Sequence, residues 1–196
     1  MKCGSLKKKI GRSICFNPDG ELILSDDMSE DDRYSAIIDH YKKQKSRESN
    51  LLNEVSTLED AIKVATAQGS EKKKHPHQYL IPQQCLEDFC EILLARKDLI
   101  MSVKRFNDLY TIVKEASIKG IGELCIYDTT ERIGTFWGIL PDEVYLHRGT
   151  RVGAIRLLGK VKKNRLTKKD FPSPFQRDDL SCAEIEDILC RYKDKF

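Results

Sequence analysis

Two glycines with one aliphatic residue between them, Gly120-Ile121-Gly122, follow Lys119 and precede a run with helical spacing. Residues of these types at this spacing can hold an anion. Glycine leaves the chain free to bend tightly. The main-chain N–H groups of the bend then project at a helix N-terminus, whose dipole favours negative charge. A phosphodiester is the natural guest, Lys119 adds a charge of the right sign, and Glu123, directly after the bend, opposes it. Arg148 and Arg151, in Tyr145-Leu146-His147-Arg148-Gly149-Thr150-Arg151, are candidates to extend the anion surface. A second set of residues could move protons. His77, in His75-Pro76-His77-Gln78, and His147 titrate near neutrality. Asp128, in Tyr127-Asp128-Thr129-Thr130-Glu131-Arg132, can act as a base or orient a partner. Converging, the three would form an acid–base cluster. The plainer role of Asp128 is a helical ion pair with Arg132, four residues on.

The elements that must position these groups are mostly helices. Phe106, Leu109, Tyr110, Val113 and Ala116 trace one apolar face before the bend, and Leu124, Ile126, Tyr127, Ile133, Phe136 and Trp137 trace another after it. Upstream, Pro82 suits a first helical turn, and Cys85, Leu86, Phe89, Cys90, Leu93 and Leu94 share a face. Helical spacing also marks residues 32–46 and 51–67, the latter with Thr57-x-x-Asp60 as a cap. Downstream, Pro141 is expected to open a short helix ending near Gly149, with one more over residues 150–158. That would place His147, Arg148 and Arg151 near a helix end where cations are favoured. Phe171-Pro172-Ser173-Pro174 reads as extended. Ser181-x-x-Glu184 is a capping box for a last helix over 182–192. Residues 13–16 and 21–24 are short β-type runs around the turn residues Asn17-Pro18-Asp19-Gly20, the pattern of a hairpin.

The expected fold is therefore mainly α: a single-core helical domain over 51–196, preceded by an N-terminal basic segment, β-hairpin and helix over 1–50. With 40% hydrophobic residues the chain has enough apolar material to build a core. Basic residues number 34 and acidic ones 31, so a binding surface for a polyanion must come from local segregation of charge. The basic runs Lys7-Lys8-Lys9, Lys72-Lys73-Lys74 and 160–169 would form a stripe if they fold to one side. Seven cysteines, an odd number with no Cys-x-x-Cys pair, point to unpaired thiols in a reducing compartment, the cytoplasm. Cys85, Cys90 and Cys125 read as core residues. Tight ligand pairs of zinc type are missing, so no metal and no cofactor are expected. No stretch approaches the ~18 apolar residues of a membrane span.

The pattern over 106–137, helix, glycine bend, helix, resembles the helix-hairpin-helix DNA-binding motif. The likeness covers about thirty residues. It implies that Lys119, Gly120, Ile121, Gly122 and Glu123 form the DNA contact, with Ile118 and Ile121 plugging between the helices. Tyr127-Asp128-Thr129 is similar to the aspartate context of helix-hairpin-helix DNA glycosylases. It stands only six residues after Gly122, however, and Glu123-Leu124 occupy the place of their lysine. That mechanism is not carried over. The region 79–196 also resembles a bacterial family of unassigned activity, which adds no chemistry. The expected function is sequence-independent DNA binding in a setting such as repair or defence. Its rivals are an enzyme acting on a nucleic acid or nucleotide through His77, Asp128 and His147, and a protein-interaction module.

Overall fold

Capping chemistry sets some of the helix boundaries in the computed structural model, which describes residues 22–45, 55–68, 74 and 76–196. Eight α-helices occur among these residues: α1 (Glu30–Lys45), α2 (Leu58–Ala65), α3 (Gln83–Ala95), α4 (Lys97–Ser102), α5 (Phe106–Glu115), α6 (Glu123–Trp137), α7 (Arg148–Leu158) and α8 (Cys182–Arg191). Thr57 Oγ1 accepts from the Asp60 N–H at 3.1 Å, which starts α2 at Leu58 and not at residue 51. At α8 the capping box closes in both directions: Ser181 Oγ accepts from Glu184 N–H, and Glu184 Oε2 accepts from Ser181 N–H at 2.8 Å. Helix α6 stops at Gly138, whose φ of +73° lets Ile139 N–H return to Gly134 C=O at 2.7 Å. The expected hairpin over 13–24 lies, apart from residues 22–24, outside the described residues. So do Lys7, Lys8, Lys9, Lys72, Lys73 and His75.

One expected element is replaced. Pro141 opens no helix; the chain runs into strand β1 (Val144–Tyr145), which pairs antiparallel with β2 (Arg165–Leu166), Val144 opposite Leu166 and Tyr145 opposite Arg165. A Val-Tyr-Leu run suits a pleated surface better than a helix. Gly149 therefore falls in the first turn of α7 and does not end a helix. The stretch expected to be extended by prolines is so at Pro172, then turns into a 3-10 helix, Ser173–Gln176.

The expected single core is divided in two. One cluster gathers α2 to α6 around Ile62, Leu86, Phe89, Leu93, Leu109, Val113 and Ile133. The other joins α1, α8 and the segment 171–182 around Ile37, Ile38, Tyr41, Phe175, Ile185 and Ile188. Strand β1 links them by its alternation: Tyr145 points into the first cluster, Val144 and Leu146 into the second. No described helix is long and apolar enough to cross a membrane.

Candidate functional site

The glycine bend faces solvent. Gly120 takes φ +103°, a region that an L side chain rarely adopts, and an added Cβ would lie 3.3 Å from Cys85 Sγ. Ile121 N–H closes the turn on Ile118 C=O at 3.0 Å. Ile121 is buried in the first cluster and Ile118 packs on it, as the plug role requires. Gly122 is the N-cap of α6, extended at φ −86° and ψ 170°, so no side chain there accepts from the first-turn N–H groups. A Cβ at Gly122 would meet nothing within 4 Å. Lys119, Gly120, Gly122 and Glu123 are all exposed. Beside the bend, through Cys85, lies the first turn of α3, whose N-cap Pro82 also lacks a capping side chain. Two helix N-termini thus flank one exposed turn, an arrangement with affinity for anions.

Arg148 and Arg151 occupy a different place from that expected. They stand in the first turn of α7, where the dipole opposes a cation. Arg151 donates through Nη2 to Asn164 Oδ1 at 2.6 Å, while Arg148 is exposed.

The acid–base candidates are brought together in part. His77 Nδ1 lies 2.6 Å from Asp128 Oδ2, joining the 3-10 turn Pro76–Gln78 to the middle of α6. The hydrogen bond to Asp128 raises the His77 pKa, against the burial of the ring, and the Asp128 charge adds to the rise. The pair is graded in depth: the His77 side chain is 37% exposed and that of Asp128 15%. The expected Asp128–Arg132 ion pair does not form, because Asp128 faces a histidine 51 residues away in sequence. Arg132 makes no hydrogen bond among the described residues, and burial lowers its pKa against the charges of Asp128 and Glu131.

His147 is the N-cap of α7 and is 4% exposed. Neither of its ring nitrogens has a hydrogen-bond partner among the described residues. Burial lowers its pKa; Glu123 and Asp128 oppose that and His77 reinforces it. His147 makes no hydrogen bond to the His77–Asp128 pair.

Sequence reasoning missed Glu186, Thr150, Tyr127 and Tyr145 as members of this neighbourhood. Thr150 Oγ1 donates to Glu186 Oε1. Burial pushes the Glu186 carboxyl up to about 8; Thr150 opposes this, and Asp187, Asp128 and Glu131 reinforce it. Burial likewise raises the pKa of Glu131. A signal for Glu186 exists: it stands four residues from both Cys182 and Cys190, on the edge of the apolar stripe of α8. Among the described residues no three His, Cys, Asp or Glu side chains are grouped to hold a metal ion.

Compared with known proteins, the chain matches no family model, no curated protein and no solved structure.

Proposed function

We propose that the chain binds the nucleic-acid backbone, DNA in the first instance, without reading sequence, through a helix-hairpin-helix made of α5, the bend and α6. One observation carries this: the bend at Gly120–Gly122 is exposed at an uncapped helix N-terminus, with its hydrophobic plugs seated in the core. The phosphate would take main-chain N–H groups of the bend and the charge of Lys119, with Arg148 a further exposed cation. Arg151 is engaged by Asn164 and drops from the set. Backbone recognition of this kind suits repair or defence.

Gly122→Asp separates binding from folding. Aspartate is among the best N-caps, so it should hold or raise Tm, and it places a carboxylate where the phosphate would sit. Fluorescence anisotropy with labelled duplex should show affinity falling with salt in the wild type. Gly122→Asp and Lys119→Glu should each lose binding by tenfold or more. Binding insensitive to both changes, or to salt, would end this reading. A second reading, an acid–base enzyme acting on nucleic acid, is favoured by the 2.6 Å contact between His77 and Asp128. It is set apart by turnover of the strand and not by binding.

A further inference from the structure

Three flat side chains lie against one another where the two apolar clusters meet. Tyr127 and His147 ring centroids are 4.5 Å apart, Tyr127 and Tyr145 5.3 Å, and Tyr145 and His147 6.4 Å at an interplanar angle of 23°. Phe106 packs edge-on against both tyrosines. Tyr127 is 2% exposed and Tyr145 3%. Yet both hydroxyls and both His147 nitrogens find no hydrogen-bond partner among the described residues. Buried phenols and imidazoles nearly always have partners. Here the unpartnered polar atoms converge on one aromatic cluster.

We propose that Tyr127, Tyr145 and His147 form a nucleobase subsite beneath the bend, taking a base of the strand whose phosphate the bend holds. The ligand class follows from the groups present. Flat rings stack on a base face, while two hydroxyls and an imidazole supply donors and acceptors for a base edge. A neutral heterocycle suits the place better than an anion, because Tyr127, Tyr145 and His147 are all buried and a charge taken out of water there is costly. The location fits. Tyr127 is five residues past Gly122, about 7.5 Å along the helix at ~1.5 Å per residue. Entry requires the first turn of α7 to swing off Tyr127; the His147 ring makes no hydrogen bond to the described residues, so the movement has to release the Thr150–Glu186 and Arg151–Asn164 bonds.

The inference rests on the backbone-binding reading, and the experiment separates the two. Full-length protein is titrated against a short single strand and against the same strand with abasic sites. The wild type should prefer the base-bearing strand by about tenfold. Tyr127→Phe keeps the ring and removes only the hydroxyl, and His147→Phe keeps a flat ring, though a larger one, without the nitrogens. Each should shrink the preference severalfold while leaving salt dependence unchanged. An undiminished preference, or a higher Tm with unaltered binding, overturns the subsite, since the polar atoms would then be merely unsatisfied. Should the wild type bind neither strand, the backbone reading fails, and free adenosine and cytidine test the subsite directly. Shifts of the His147 and Tyr127 ring NMR signals that vanish in the Phe variants support it, and unmoved signals overturn it.

Discussion

Glu186 is a carboxyl group that must choose between a proton and an uncompensated buried charge. Its oxygen accepts from Thr150, and Asp128, Glu131 and Asp187 supply like charge. His77 is bonded to Asp128 and is itself influenced by Glu186, and the charge of Asp128 acts on Arg132. The folded-state pKa, pushed up to about 8, stands above the ordinary 4.5. Folding therefore takes up a proton in the window between them. The stability associated with neutral Glu186 is fully present below about 4.5 and is lost as pH rises through about 8. Glu186→Gln keeps the shape and acceptor and removes the titration. The Tm of the wild type should fall relative to that of Glu186→Gln between pH 5 and 8 and run parallel to it above about 9. Curves parallel throughout would mean that Glu186 ionises as freely as a surface residue. His77, Asp128 and His147 could be picked from the sequence because their residue types announce proton chemistry. Their geometry could not, since the partner of Asp128 comes from a loop and not from its own helix.

Helix α7 shows how an element can be misread while its residues are noticed. Gly149 and Gly153 are spaced four apart on one face, and local reasoning takes Gly149 for a helix stop. Both are instead points of close approach to α8. A Cβ at Gly153 would lie 2.0 Å from Leu189 C=O, and one at Gly149 2.7 Å from Cys190 Sγ. The surface that explains these glycines lies some forty residues further along the chain, invisible to periodicity. By contrast, α3, α5, α6 and α8 were legible from their apolar stripes, to which α6 adds the stop at Gly138 and α8 its capping box. Gly153→Ala sets two effects against each other. Alanine favours a helix interior by about 1 kcal/mol, but an obstacle made of backbone cannot rotate away, and overpacking costs about 1–3 kcal/mol. The variant should be less stable in urea by roughly 1 kcal/mol or more. A gain in stability would show that α7 and α8 are not in such close contact.

At the scale of the molecule, the issue is whether two apolar clusters make one cooperative unit. Helical spacing over residues 32–46 marks Ile37, Ile38 and Tyr41 as one face but offers no sign that they dock with α8, about 150 residues away; hydrophobic spacing names a buried face and not its partner. The joint between clusters is tightly made. Tyr145 is buried against Phe106, and the Arg165 guanidinium lies 4.5 Å from the Tyr145 ring centroid. Arg165 also donates to Asn107 Oδ1 on α5 at 2.6 Å. Coupling through buried rings and a charged hydrogen bond should make the halves unfold together. Trp137, the sole tryptophan, is exposed at the end of α6 but stacks on Phe136, which packs on the first cluster, and so reports on that cluster. Ile38, fully buried, belongs to the second. Ile38→Ala should cost about 2–5 kcal/mol and move the urea midpoint of Trp137 fluorescence together with that of far-UV circular dichroism. If the dichroism midpoint drops while Trp137 holds its own, the clusters are separate units. The rings at their joint could then part, and the base subsite open, without unfolding either half.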